Sequence, residues 1–162
     1  MVRAVGDMVG FARQTFAWIL PATQLTSPHQ MELVQSVFKD PNSIRELANQ
    51  LRYEIASPAH IDKFPTSINT QYIVEMVSAI AINWFSAADL STISRQMAAY
   101  LQRQQVMRRN FRDLFVLLLR LIEADQSISI NSNAHQALKE FFDILTDEMV
   151  ASTHISWMFP PG

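Results

Sequence analysis

The chain has 162 residues and a net charge of −2, and only 17% of its residues are charged, against about 25% in an average soluble domain. This length predicts one domain, and so small a net charge indicates neither a strongly basic nucleic-acid-binding chain nor an acidic tail. The absence of cysteine excludes disulfide scaffolds and thiol catalysis, and because glycine occurs only at positions 6, 10 and 162, glycine-rich phosphate-binding loops are excluded as well.

Apolar residues recur every three to four positions along nearly the whole chain. This period predicts an all-α fold of five to six helices in a single domain, 1–162. The first helix is expected over 2–19, because Pro21 cannot continue it. Ser27 is the predicted cap of the second helix, with Pro28 in the favoured first position.

The second helix is expected to stop at Pro41. Asn42 or Ser43 is the predicted cap of a third helix, which reaches Ile55. The stretch 57–67 contains two prolines, so it is expected to be an irregular connector.

Two long segments then predict a helical hairpin. Residues 68–85 are apolar on nearly every side, as is typical of a helix buried all round. Ser86 is the expected cap of the second arm, with Asp89 completing a capping box. That arm, 86–124, lacks glycine and proline and would be about 58 Å long as a straight helix. Since a domain of this length has a radius of gyration of roughly 15 Å, the arm must bend, or protrude and pair with another surface.

The last part of the chain is expected to hold one more helix. A polar loop is predicted at 127–133, followed by an amphipathic helix at 134–150. The end of the chain, 154–161, is expected to be extended, and it is too apolar to lie free in solvent.

Charge is unevenly distributed along the second half of the chain. Residues 90–120 hold six arginines and one acid, whereas residues 121–162 hold six acids and one lysine. The two blocks could face each other within one chain or between chains.

Part of the basic block is a candidate nucleic-acid contact. Its members are Arg103, Arg108, Arg109 and Arg112, which could form a phosphate-binding stripe. The competing interpretation is pairing within the helix, for example Arg109 with Asp113, together with packing of the arginine stems over apolar surface.

No catalytic centre, metal site or cofactor site is predicted. The four histidines have no partner at the spacing that a helix needs to bind a metal. Asp143 and Asp147 share a helix face, as a di-metal site would require, but no Glu-x-x-His accompanies them. A solvated helix face is the expected role of these carboxylates, and no small-molecule substrate is predicted.

Apolar residues on the hairpin exceed what two helices can hide from each other, which indicates a surface that binds another protein. The residues expected to lie in this surface are Tyr72, Met76, Ile80, Trp84, Phe85, Leu90, Ile93, Met97 and Leu101. The segment Trp157–Pro161 is a second such surface at the other end of the chain. Two separate apolar surfaces on a small domain predict a self-assembling protein.

The order of these features resembles the assembly domain of hepadnaviral core proteins, the capsid subunits of hepatitis B-like viruses and of the related nackednaviruses. In the first helix the similarity rests on Phe11-Ala12 and Ile19-Leu20-Pro21. In the hairpin it rests on Glu75-Met76-Val77, Trp84-Phe85, Ser94-Arg95 and Phe111-Arg112-Asp113-Leu114, and at the end on Trp157 with Pro160-Pro161. Three features depart from the family: Ala22–Leu25 replaces a Phe-Phe-Pro, the spike cysteine is missing, and the loop 125–133 is longer.

The resemblance implies a homodimer in which two hairpins, each within 68–110, form a four-helix bundle through the apolar residues named above. It implies that 134–162 joins dimers into a closed icosahedral shell, with contacts from Phe141, Phe142, Leu145, Trp157, Phe159, Pro160 and Pro161. In the family a basic tail binds the viral genome, and no such tail follows Gly162 in this sequence. The implied locations are the virion and the host cytoplasm and nucleus, with no span of a membrane.

Two other functions stay open on the residues alone. One is a helical RNA-binding coat protein that uses the arginines between 95 and 112. The other is a cellular adaptor whose hydrophobic hairpin captures a helix of a partner. An enzyme ranks third.

Overall fold

The computed structural model describes residues 28–125 and 130–158, and it describes 154–158 by their backbone alone. The described part of the chain consists of six α-helices and contains no strand, which confirms the predicted all-α class. The helices are α1 (Pro28–Val37), α2 (Pro41–Ile55), α3 (Thr70–Ile82), α4 (Ala87–Arg103), α5 (Phe111–Ala124) and α6 (Ser132–Met158). The helix predicted over 2–19 and the predicted cap Ser27 lie outside the described residues.

The start of α2 differs from the prediction. Asp40, rather than Asn42 or Ser43, is the N-cap, and its carboxylate accepts a hydrogen bond of 3.0 Å from the backbone N–H of Asn42. Pro41 takes the first helical position. Its fixed φ suits the helix there, and an N–H at this position would have no hydrogen-bond partner within the helix.

The connector between α2 and α3 is irregular, as its prolines predict. Phe64 and Ile68 anchor it in the core. Asn69 caps α3 by accepting a hydrogen bond from the N–H of Tyr72 at 3.1 Å. The N–H of Asn69 in turn donates to the hydroxyl of Tyr100 on α4 at 2.8 Å. The connector is therefore fastened to both arms of the hairpin.

The predicted hairpin is present as α3 and α4. The rings of Tyr72, near the start of α3, and Tyr100, near the end of α4, lie 4.8 Å apart, which shows that the two helices run antiparallel. Ser86 is the N-cap of α4, as predicted. The capping box expected with Asp89 does not form: Ser86 makes no side-chain hydrogen bond to the backbone of α4, and its hydroxyl donates instead to the carboxylate of Asp89 at 2.8 Å.

The second arm of the hairpin is shorter than predicted. The chain leaves the helix after Arg103 and passes through a 3₁₀ turn, Arg108–Asn110, before α5 begins at Phe111. The expected arm 86–124 is therefore two helices. The sequence predicted that so long an arm must either bend or protrude, and in the structure it bends. We call residues 104–110 the elbow.

The elbow begins with a Schellman motif, a helix end in which one residue takes the left-handed conformation. Gln105 is that residue, with φ at 66°. Its N–H donates to the carbonyl of Gln102, and the N–H of Val106 donates to the carbonyl of Leu101, both at 2.9 Å. Val106 and Leu101 are both buried, and their burial is the apolar contact that usually accompanies this motif. Glycine normally fills the left-handed position, so nothing in the sequence marks this helix end.

Gln105→Gly is expected to stabilise the protein. Removing the side chain relieves about 1–2 kcal/mol of strain in the folded state, since glycine has no Cβ to clash in the left-handed conformation. Glycine also makes the unfolded chain more flexible, which reduces the gain in stability by about 0.5–1 kcal/mol. The net increase in the free energy of unfolding should be about 0.5–1 kcal/mol, measured by urea denaturation. Gln104→Gly is the control: Gln104 has a negative φ of −85° and its side chain accepts a hydrogen bond from Ser67, so this variant should lose stability instead. A loss in both variants would contradict the strain at Gln105.

The last helix is longer than predicted at both ends. Asn131 accepts a hydrogen bond from the N–H of Ala134 at 2.8 Å and so caps α6. The helix then continues to Met158, whereas 154–161 was expected to be extended. The reason is that no glycine or proline interrupts the chain before Pro160. At 27 residues, α6 is about 40 Å long and is the longest helix in the described part of the chain.

The core is built around two adjacent residues of α6. The ring of Phe141 lies 6.3 Å from that of Phe38, which directly follows α1, and 5.3 Å from that of Trp84, after α3. The ring of Phe142 stacks on that of Phe115 of α5 at 5.7 Å. Buried residues from all six helices form one continuous cluster.

Two isoleucines on α3 test whether this core belongs to a single chain. Ile80 is fully buried and Ile82 is 57% exposed. Ile80→Asp should place an uncompensated charge in the core and lower the free energy of unfolding by at least about 3 kcal/mol, whereas Ile82→Asp should change it by less than about 0.5 kcal/mol. Thermal unfolding followed by circular dichroism measures both. A folded, monomeric Ile80→Asp variant would contradict this core and place Ile80 between chains.

Candidate interaction surfaces

The residues predicted to form a dimer interface lie mostly inside one chain. Ile80, Trp84, Leu90, Met97 and Leu101 are buried, and Tyr72, Met76 and Ile93 are partly buried and pack against the same core. Side chains that are enclosed within a chain cannot also form a contact surface between two chains in this fold. The buried residues therefore do not form the expected interface: α1, α2 and α6 pack against the hairpin and complete the burial that a second copy was expected to supply, while the contact expected from Tyr72, Met76 and Ile93 stays a prediction.

The predicted contacts between dimers divide in the same way. Phe141, Phe142 and Leu145 are buried, because they form the centre of the core. Trp157 lies in the last turn of α6. Phe159, Pro160 and Pro161 lie outside the described residues.

Phe85 is the one predicted dimer residue that the structure exposes, at 58% of its surface. It lies in the turn between α3 and α4, three residues after Ile82, which is exposed to a similar extent. The turn is tight, since the N–H of Asn83 donates to the carbonyl of Ala79 and the N–H of Ser86 donates to the carbonyl of Asn83. We call Ile82 and Phe85 the hairpin tip. The tip is a small apolar patch at one end of the hairpin.

The basic and acidic blocks meet within one chain. Arg112 of α5 bonds to Asp143 at 2.7 Å and to Asp147 at 3.4 Å, both on α6. Asp113 pairs with Lys63 of the connector at 3.2 Å, rather than with Arg109 as the intrahelical interpretation required. The carboxylates at 143 and 147 therefore bind an arginine.

The four candidate nucleic-acid contacts do not form one helical stripe. Arg103 ends α4, Arg108 and Arg109 lie in the 3₁₀ turn, and Arg112 lies in α5. All four are exposed, and Arg112 bonds to two aspartates of α6. Arg108 and Arg109 line a groove of about 780 Å³ along the elbow, and Val150 of α6 also lines it.

The described histidines do not come together. His29 lies 3.9 Å from Glu32 on α1, and His135 of α6 contacts Glu123 of α5. Among the residues that the structure describes, no three side chains of His, Asp or Glu are placed to hold a metal ion.

A buried carboxyl group at Glu148 was not predicted from the sequence. Only 8% of this residue is exposed, and within the described chain its Oε2 has no hydrogen-bond partner. Burial raises the pKa of Glu148 to about 7, against its usual 4.5, and Arg95 opposes that rise. This carboxyl lies on the apolar face of α6, because Glu148 follows Phe141 and Leu145 at helical spacing. That spacing could have predicted from the sequence that Glu148 is buried.

Comparisons with protein-family models, with curated proteins and with solved structures found no match to this chain. Within 28–125 and 130–158, none of the helices combines the length and the apolar character that crossing a membrane requires.

Glu148 should make stability fall as pH rises. The folded state holds this proton up to about pH 7, whereas the unfolded state releases it near its usual pKa, so the penalty for ionising it develops between those two values and is complete above pH 7. Glu148→Gln removes the charge and should raise the free energy of unfolding by about 3 kcal/mol at pH 8 and by little at pH 4.5. Urea denaturation at both pH values measures the difference.

The matched control is Glu46→Gln, which removes a carboxylate from an exposed position on α2. It should change the free energy of unfolding by less than about 0.5 kcal/mol. An equal gain from Glu148→Gln at both pH values would contradict the assignment, because only a titrating group produces a gain that depends on pH.

Proposed function

We propose that this chain is a self-associating structural subunit of the kind that builds viral capsids. The observation that carries the proposal is the hairpin tip. Ile82 and Phe85 are both more than half exposed, and they lie at the end of the helical hairpin that the resemblance to hepadnaviral core proteins assigns to self-association. In the proposed subunit the tip makes the contact, whereas the flanks of the hairpin belong to the core.

The size of the tip indicates a weak contact. Full burial of an apolar side chain contributes about 1.5–3 kcal/mol, so two half-exposed side chains on each of two copies can contribute roughly 3–6 kcal/mol. Association costs about 4–15 kcal/mol in lost freedom of motion. The tip alone therefore gives a contact that depends on protein concentration, and a closed assembly requires further contacts that act together.

The segment Trp157–Pro161 supplies a further contact in this proposal. Its first two residues, Trp157 and Met158, lie in the last turn of α6, so the segment begins at the end of a long helix whose middle is fixed in the core. A shell with two small apolar contacts per subunit would be held together by the sum of many weak interactions between its subunits. Nucleic acid inside such a shell would be held by basic residues, of which the elbow has several.

The tip is tested by replacing its side chains with serine. Ile82→Ser/Phe85→Ser should shift association at least tenfold towards monomer, because both exposed apolar groups are lost, while the melting temperature stays within a few degrees of wild type. Sedimentation velocity over about 5–200 µM, with negative-stain microscopy of any particles, measures the effect.

Tyr53→Ser/Ile61→Ser is the matched control, since it also removes one aromatic and one isoleucine from exposed positions. It should associate as wild type does. A monomeric wild-type protein at 200 µM would refute self-association. Equal loss of association in the two double variants would refute the assignment of the contact to the hairpin tip.

A further inference from the structure

The elbow is bordered by two adjoining grooves. The first, of about 780 Å³, includes Gln102, Gln105 and Met107 in its lining. The second, of about 390 Å³, includes Thr146 and Asp147 of α6. Both are lined by Arg108, Arg109 and Val150, so the two grooves form one continuous depression with this arginine pair along it.

The charge of this depression is positive. Among the described residues that line it, three are arginines, at 108, 109 and 112, and one is a carboxylate, Asp147. That carboxylate is also bonded to Arg112 at 3.4 Å. Asp143 bonds to the same arginine at 2.7 Å, so the charge of Arg112 is more than balanced and the three arginines and two carboxylates together leave one positive charge. An anion that enters the depression therefore meets an excess of positive charge.

The arginine pair is held in place before any ligand binds. Val106 is buried and its N–H is bonded to Leu101, and the side-chain carbonyl of Gln104 accepts a 2.8 Å hydrogen bond from Ser67 of the connector. The N–H of Asn110 closes the 3₁₀ turn by donating to the carbonyl of Met107 at 2.8 Å. A backbone fixed on both sides of Arg108 and Arg109 loses little freedom when these side chains bind a ligand.

We infer that the elbow depression is a binding site for phosphate groups, with Arg108 and Arg109 as its principal ligands. Guanidinium groups form two parallel hydrogen bonds to phosphate oxygens, and two neighbouring arginines can contact one phosphate or two successive ones. The side-chain amides of Gln102 and Gln105 and the hydroxyl of Thr146 are further donors at the edges of the depression.

The lining also indicates how selective the site is. Among the described residues, none that lines either groove is aromatic, so this part of the lining offers a nucleic-acid base no ring to stack on. The site should therefore recognise phosphate without reading a base sequence. Such phosphates can come from a nucleic-acid backbone or from a small polyphosphate, and the chemistry of recognition is the same.

The test uses the full chain and two probes, a fluorescein-labelled 12-residue oligouridylate and sodium tripolyphosphate. Fluorescence anisotropy should show oligouridylate binding that weakens about 7- to 18-fold between 50 and 200 mM KCl, the loss expected for two or three neutralised phosphates on a single strand. Arg108→Gln/Arg109→Gln should weaken binding at least tenfold. Competition by tripolyphosphate would identify the site as one for small polyphosphates as well, and binding of oligouridylate without competition would identify it as a site for the nucleic-acid backbone.

Arg45→Gln/Arg52→Gln is the control for charge, because it removes two exposed arginines from α2, and it should bind within twofold of wild type. The inference is refuted if neither probe binds wild type at 50 mM KCl, if binding is unaffected by salt, or if the two double variants lose affinity equally. The salt dependence and the competition are measured on wild type, so they stand even if the elbow variant is unstable. The tip variant Ile82→Ser/Phe85→Ser should bind both probes as wild type does, which separates this site from self-association.

Discussion

The packing of Phe141 and Phe142 on α6 is the interaction on which the rest of the structure depends. These two adjacent rings point to different partners: Phe141 contacts Phe38 and Trp84, and Phe142 stacks on Phe115. One turn of one helix therefore joins the end of α1, the end of α3 and the middle of α5. Because aromatic side chains bury the largest apolar areas in a core, the loss of these two rings would remove the contacts that hold α1, α3 and α5 on α6.

The elbow lets the chain reach that arrangement. A straight helix over 86–124 would carry α5 away from α6, whereas the Schellman motif at Gln105 turns the chain so that Phe115 reaches Phe142. The left-handed strain at Gln105 is offset by the burial of Val106 and Leu101 beside it. The same turn brings Arg112 to the two aspartates of α6 and places Arg108 and Arg109 along the groove at the bend.

The two surfaces proposed to act on other molecules are separate in place and in chemistry. The hairpin tip is apolar and lies where α3 turns into α4, whereas the elbow depression is basic and lies at the opposite end of α4. Neither uses the flanks of the hairpin, since the core already encloses them. The proposed self-association and the proposed phosphate binding are thus independent of each other, and each is tested separately.

The sequence by itself determined the helical class, the hairpin with its cap at Ser86, and the irregular connector, because periodicity, capping residues and prolines act over a few neighbouring positions. It left open whether the basic and acidic blocks meet within one chain, and it assigned the apolar residues of the hairpin to a second copy. Only the tertiary structure decided those points, together with the elbow at Gln105 and the buried carboxyl of Glu148. The physical reason is that each of these points depends on contacts between residues that are far apart in the sequence. A surplus of apolar residues has the same sequence pattern whether another helix of the same chain or a second chain covers it. A non-glycine residue becomes left-handed only where the burial of its neighbours outweighs the strain.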